Sequence, residues 1–281
     1  MTLRRSLLFV PADRPERIEK ATKLPADVVV LELEDGITPD HKDEARRNAG
    51  RCLASLDFGT RETAVRINRI TSRAGLDDLL VLADWSRKPD LLLLPKVESS
   101  SEVEIYDWFL TDCGASCLLM PLIESARGLL AARDIASASE RVAGIAFGGG
   151  DLSVDLGCQF SWDALLPYRA AVVLAATAAG VPVVDVPFVN IQDEDGLRGE
   201  AQAARRIGMK GKVCIHPNQL EAVNEAFSPS TDEVAQARTI LDAAAAGVLP
   251  FVVNGQMIDA PLVRLSENII ASADRANLAS S

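Results

Sequence analysis

Eight short apolar segments, each followed by a stretch of helical periodicity, constrain this chain more than any other feature. They are SLLFVP (6–11), VVVLELED (28–35), TAVRIN (63–68), LLLLPKV (91–97), CLLMPLIE (117–124), GIAFGGGDL (144–152), PVVDVP (182–187) and KVCIHP (212–217). Most are continuously apolar rather than alternating, as in parallel strands covered on both faces. PERIEKATK, HKDEARRNAGRCLASL, SARGLLAARDIASAS and LLPYRAAVVLAATAAG are among the helical stretches between them. Asp13, Asp40 and Gly180 stand where caps are needed. Strand and helix alternate eight times, which predicts an α/β fold of the (β/α)8 TIM-barrel type. An open doubly wound sheet is the alternative. It more often carries fewer strands and a glycine fingerprint in its first turn, which this sequence lacks.

The chain continues past the eighth unit. TDEVAQARTILDAAAAG (231–247) and the segment after it read as a helix, a hairpin or extended piece around Asn254–Gly255, and a last helix. The closing NLASS is expected to fray. The predicted organisation is a catalytic barrel over 1–228 and a C-terminal extension or lid over 229–281.

With 281 residues, 48% of them hydrophobic, there is ample material for one large core. A net charge of −11 argues against a general nucleic-acid binder, which needs surplus cations for the phosphate backbone. No apolar run approaches the roughly 20 residues of a membrane span, and the apolar stretch in MTLRRSLLFVPADRPERIEK is too short for a signal peptide. The five cysteines are odd in number and lack accompanying histidines. They read as reduced thiols in a cytoplasmic protein, not as a zinc site.

In a barrel the site forms where strands end and helices begin. Strand 1 ends in VPADRPER, strand 2 in Glu34-Asp35 and strand 3 in Arg66-Ile67-Asn68. Lys96 and Glu98 follow strand 4, and Glu124 and Asp151 end strands 5 and 6. Asp185 and Asn190 follow strand 7, and His216-Pro217-Asn218 strand 8. Glu124 and Asp151, one strand-plus-helix unit apart, are expected at one edge on neighbouring strands. There they can bind a hard divalent cation or, more plainly, cap a helix and close a turn. Arg66, inside an apolar strand, needs an anion. That is either a substrate carboxylate or oxyanion, or a rim acid such as Glu34 or Asp35. Lys96 can form a Schiff base or a structural ion pair. The Gly148-Gly149-Gly150 run can bring backbone amides to a ligand, or simply make a tight strand exit. His216 fits a satisfied strand-end histidine at least as well as a catalytic one.

RRSLLFVPADRPERIEKA, VVVLELEDGI, AVRIN, LLLLPKVES, PLIESARGLL, GIAFGGGDLSVDLG, VCIHPNQLEAVNEAF and GQMIDAPLV resemble the citrate lyase beta-subunit-like family. It sits in the HpcH/HpaI aldolase group with malyl-CoA and citramalyl-CoA lyases. The resemblance runs in order over about residues 4 to 270. It implies a (β/α)8 barrel with a C-terminal extension, assembled as a homotrimer or hexamer. It implies Mg2+ (Mn2+ as the other oxygen-liking ion) on Glu124 and Asp151, with Gly149 and Gly150 beside the substrate. Arg66 would face a carboxylate or enolate oxygen, while Glu34 and Asp35 order waters. Asp259, in the G-x-M-I-D motif at Gly255–Asp259, would reach a neighbouring subunit's site as the acid/base. Of the N-terminal cations, which are otherwise read as solvated surface charge, Arg14 is the best placed for CoA phosphates because it directly follows strand 1.

The implied reaction is reversible Claisen-type cleavage of a 3-hydroxy-3-carboxyacyl-CoA to acetyl-CoA and a 2-oxo acid. A thioesterase on the same scaffold is one alternative. Another is a citrate lyase beta subunit acting on a carrier-protein thioester. As a competent base, Asp259 would need a pKa above the ordinary ~3.9.

Overall fold

The computed structural model describes residues 2–247, 250–253 and 255–280. Eight strands close a barrel: β1 (Ser6–Pro11), β2 (Val28–Glu32), β3 (Glu62–Arg66), β4 (Leu91–Leu94), β5 (Leu118–Ile123), β6 (Ile145–Phe147), β7 (Val183–Asp185) and β8 (Gly211–Cys214). Each strand pairs in parallel with the next, and β8 pairs with β1. All eight predicted strand segments are present, as a TIM barrel.

The barrel helices are α1 (Pro15–Ala21), α2 (Lys42–Ser55), α3 (Arg73–Asp84), α4 (Ser100–Asp112), α5 (Ala126–Leu130), α6 (Ala132–Ala136), α7 (Gly149–Leu156), α8 (Trp162–Ala178), α9 (Glu194–Arg206) and α10 (Leu220–Ala226). Two predictions need correction here. SARGLLAARDIASAS is two short helices, because Ala131 at φ −94°, ψ 2° interrupts the turn. GIAFGGGDL is not strand throughout. The strand stops at Phe147, and Gly149 opens α7, which ends at the left-handed Gly157. Asp151 therefore sits in the first turn of a helix rather than at a strand end.

The interior of the barrel is a layered apolar core of Leu7, Val28, Val30, Ala64, Leu91, Leu93, Met120, Leu122, Ala146, Val184 and Val213. On β2, β4 and β5 these residues recur every second position, as strand geometry requires. The same two-residue step, carried further, builds the site.

The chain divides into two compact units, Arg4–Val223 and a second one of Asn224–Ser281 with the first three residues. The second holds α11 (Thr231–Ala246), an antiparallel hairpin of β9 (Phe251–Val253) and β10 (Gln256–Ile258), and α12 (Ala260–Ser280). The helix, hairpin and last helix are thus all present, although Asn254 at the hairpin tip lies outside the described residues. Through Ser280 the chain is helical where fraying was expected, and Ser281 lies outside the described residues. α11 begins at a capping box in which Ser230 and Glu233 satisfy each other's backbone amides. Among the described residues no helix is long and apolar enough to cross a membrane.

Candidate active site

At the carboxyl ends of the strands the inward-facing series turns from apolar to charged. Val28 and Val30 lead to Glu32, Ala64 to Arg66, Met120 and Leu122 to Glu124, and Ala146 to Gly148. Glu32 and Arg66 are register partners on adjacent strands. Arg66 Nε donates to Glu32 Oε2 at 2.5 Å, and its Nη1 lies 3.1 Å from Glu34 Oε2. The guanidinium stands over the Phe9 ring, 5.1 Å from its centroid. Burial pushes the Arg66 pKa down, but the charges of Glu32 and Glu34 outweigh it and raise it. Arg66 is a fixed cation. Glu32 is not among the site residues expected from the sequence, because it falls inside the otherwise apolar β2 segment. Its parity with Val28 and Val30 was the available signal.

Glu34 is buried and bridges two cations. Its other oxygen, Oε1, accepts from Lys96 Nζ at 2.8 Å. The same ammonium lies 3.4 Å from Asp35 and 3.6 Å from Asp151. These partners raise the Lys96 pKa despite the opposing cost of burial. An imine-forming lysine has to shed its proton, so the environment of Lys96 favours the ion pair over the Schiff base. Lys96 also has a φ of +54°, the one non-glycine in the left-handed region among the described residues. Such a conformation costs about 1–3 kcal/mol. It turns the Lys96 amide onto Glu124 Oε1, a hydrogen bond of 2.6 Å.

Glu124 is not a helix cap. Ser125 caps α5 by accepting from Gly128, and Asp155 accepts from the Ala126 amide at 2.7 Å. The Glu124 carboxyl is left to the site. Burial, then the charges of Glu34 and Asp151, push its pKa up to about 8, against the pull of the Lys96 amide and Arg66. A buried acid crowded by two others, with only oxygen donors present, is short of positive charge. A hard divalent cation would supply it. Among the described residues no set of three His, Cys, Asp or Glu is arranged to hold a metal. A two-carboxylate site completed by substrate and water suits Mg2+, which keeps several waters and takes few protein ligands.

The three glycines do different things. A Cβ on Gly148 would come within 2.3 Å of Glu124 Cβ and 2.6 Å of its Oε2. The backbone there is unremarkable (φ −96°), so this glycine makes room for a carboxylate. Gly149 packs against Phe147, Leu165 and Val186, whereas Gly150 is exposed with open space beside it. Gly148→Ala should displace Glu124. Calorimetric titration should show Mg2+ affinity falling at least tenfold, the order seen when a ligand's orientation is lost, and unchanged affinity would refute this.

Other predicted positions lie outside this cluster. Arg14 precedes α1 with its side chain 55% exposed, 3.7 Å from Asp13. His216 Nδ1 accepts from the Asn218 amide, the satisfied role expected of it. Asp185 is fully buried, paired at 2.8 Å with Arg169 and at 2.6 Å with Lys212, and belongs to the barrel's packing rather than its mouth. Asn190 Oδ1 accepts from Gln192, and Glu98 pairs with Arg69. Asp259 is in the second unit. Its Oδ1 accepts from the Leu262 amide at 3.3 Å, capping α12.

Comparison with known proteins agrees with this architecture. The family described as HpcH/HpaI aldolase/citrate lyase matches residues 5–217. Mitochondrial citramalyl-CoA lyase of Rattus norvegicus is 32% identical, covering 96% of this chain and 86% of that protein. The (3S)-malyl-CoA thioesterase of Cereibacter sphaeroides is 38% identical over 82% of this chain and 79% of its own. Among solved structures, CitE from Mycobacterium tuberculosis, determined with magnesium, acetoacetate and coenzyme A, superposes with a TM-score of 0.82. It is 34% identical, over 96% of this chain and 98% of that one. This chain is an enzyme of the HpcH/HpaI aldolase/citrate lyase family.

Proposed function

We propose that the chain is a Mg2+-dependent acyl-CoA lyase. It would cleave a 3-hydroxy-3-carboxyacyl-CoA (citramalyl-, malyl- or citryl-CoA) reversibly to acetyl-CoA and a 2-oxo acid. The observation that carries this reading is the juxtaposition at one barrel mouth of a crowded carboxylate group, with Glu124 and Asp151, and the fixed cation Arg66. Glu124 and Asp151 would hold the metal, which supplies Lewis-acid stabilisation of charge on the oxo-acid oxygen. Arg66 offers a planar donor fork to a carboxylate or to the developing enolate oxygen. Gly149 and Gly150, at the start of α7, would lie against the substrate.

In the cleavage direction a rim carboxylate takes the hydroxyl proton. The C–C bond breaks toward the thioester, and its electron pair becomes the enolate. Protonation of the enolate carbon then yields the acetyl methyl group. Asp259 is our candidate for that proton, delivered from the extension of a neighbouring subunit in a trimer or hexamer. Glu34 and Asp35, held by Lys96, would order water at the mouth, and Arg14 would meet a CoA phosphate. Described free cysteines, three of them buried, suit a reducing cytoplasm.

The thioesterase relative supports a second reading, in which water captures the acyl group. The lyase reading is favoured because a match over 96% of the chain has to include most of residues 229–281. The test is turnover of malyl-, citramalyl- and citryl-CoA with Mg2+ and with EDTA. Acetyl-CoA plus a 2-oxo acid, abolished by EDTA, is expected. Free CoA without acetyl-CoA would establish hydrolysis instead.

Asp259→Asn keeps a helix-capping side chain and removes the base. It should lower kcat by about 10²-fold with the thermal transition unmoved. A loss under tenfold would eliminate Asp259 as the acid/base.

A further inference from the structure

Lys42 is the first residue of α2, and among the described residues no carboxylate pairs with its ammonium. Its Nζ instead donates to the Leu33 carbonyl at 2.6 Å, the Glu34 carbonyl at 2.6 Å and Asn68 Oδ1 at 2.8 Å. Three donors meet three acceptors, which satisfies the group completely. Two of those acceptors belong to the main chain of the turn that carries Glu34. The third belongs to the residue two past Arg66.

Both ends of this tie are anchored. Asn68 Nδ2 donates back to the Leu33 carbonyl at 2.9 Å and to Asp78 Oδ2 at 2.7 Å, and the Asn68 amide donates to the same oxygen at 2.6 Å. Asp78 is held in turn by Arg46 Nε at 2.6 Å. Arg46 lies one helical turn after Lys42, on the same face of α2. On the site side, the Glu34 amide donates to Glu32 Oε1 at 2.5 Å, and the Leu33 amide donates to the Arg66 carbonyl at 2.9 Å. The turn is thus held by Glu32 and β3 through its amides and by Lys42 through its carbonyls.

We propose that Lys42 is a positioning residue, locking the exits of β2 and β3 together and so setting where the Glu34 carboxylate stands between Arg66 and Lys96. It touches no reacting atom and acts through Glu34. The consequence for catalysis rests on the lyase reading above, whereas the consequence for the turn does not.

The test is a double-mutant cycle of Lys42→Met and Glu34→Gln, with Lys42→Arg as the conservative variant and amide hydrogen exchange on each. A displacement of about 1 Å in a catalytic group can cost 10²-fold. Lys42→Met should therefore lower kcat by about that factor with the acyl-CoA KM within threefold, and Lys42→Arg should recover part of the loss. The double variant should be no slower than the slower single variant, since both changes act on one group. Exchange should rise at residues 33–37 and 67–69 and stay unchanged at 96–98 and 148–151. A kcat within threefold of the parent, or losses that multiply in the double variant, would overturn the proposal. Should the parent cleave no CoA ester, the lyase reading falls. The positioning role is then decided by exchange alone, and unchanged protection at 33–37 and 67–69 would overturn it.

Discussion

Glu124→Gln is expected to abolish Mg2+-dependent turnover, by on the order of 10³-fold, while leaving the metal-free protein at least as stable as the parent. The two halves of this result have one cause. Glu124 is buried beside Glu34 and Asp151, and its pKa of about 8 records how poorly a negative charge is tolerated there without a cation. Glutamine keeps an oxygen for the Lys96 amide and removes the ionisable group. Stability alone would therefore not select the acid, and function would.

The pH dependence follows with a definite sign. A carboxyl whose folded pKa exceeds its ordinary value of 4.5 binds more protons in the native state than in the unfolded one. Metal-free stability should accordingly fall as pH rises from about 4.5 to about 8, and level off beyond. Metal affinity should run the other way, tightening with pH up to about 8, because the ligand has to lose its proton first. Thermal scans and Mg2+ titrations at pH 6, 7, 8 and 9 would check both trends. Equal Mg2+ affinity at pH 6 and 8 would show that Glu124 is not a ligand.

The barrel was legible because its evidence is repeated eight times. A continuous apolar run followed by a helical stretch is ambiguous once, but the alternation as a whole admits few folds. What failed was local. GIAFGGGDL reads as one apolar segment, and nothing in its periodicity shows the chain leaving the sheet at Phe147 to begin α7. Glu32 was hidden for the opposite reason. A charged residue in a strand looks like an interruption, although a two-residue step from Val30 places it inside the barrel with Arg66. Lys42 could not be singled out, since its role depends on three acceptors that are distant along the chain or belong to the backbone. Asp259 stands out only through the motif it shares with the resembling family. Its local geometry, a cap on α12, would suit an ordinary helix start equally well.

Replacing Arg66 with Met is expected to cost both activity and stability, and the pattern separates its two jobs. Arg66 is the direct partner of two buried acids, Glu32 at 2.5 Å and Glu34 at 3.1 Å. Removing one member of a buried ion pair strands its partner, a loss of about 3–5 kcal/mol. Lys96 still neutralises Glu34, so the cost should fall mainly on Glu32. The pKa of Glu32 is already raised by burial against the pull of Arg66, so without Arg66 it should take up a proton. The destabilisation should then shrink toward low pH, where Glu32 is neutral in the unfolded chain as well.

Turnover should fall by about 10²–10³-fold, the scale of losing a preorganised donor to a developing oxyanion. Arg66→Lys restores a charge without the planar fork. It should recover much of the stability and little of the rate. The Glu32→Gln, Arg66→Met double variant should likewise regain stability, with turnover still depressed. Urea unfolding and steady-state kinetics on these variants give the answer together. If stability and rate recover in parallel, Arg66 serves the fold alone; if they separate, its ion pairs are the scaffold that holds a cation ready for the substrate.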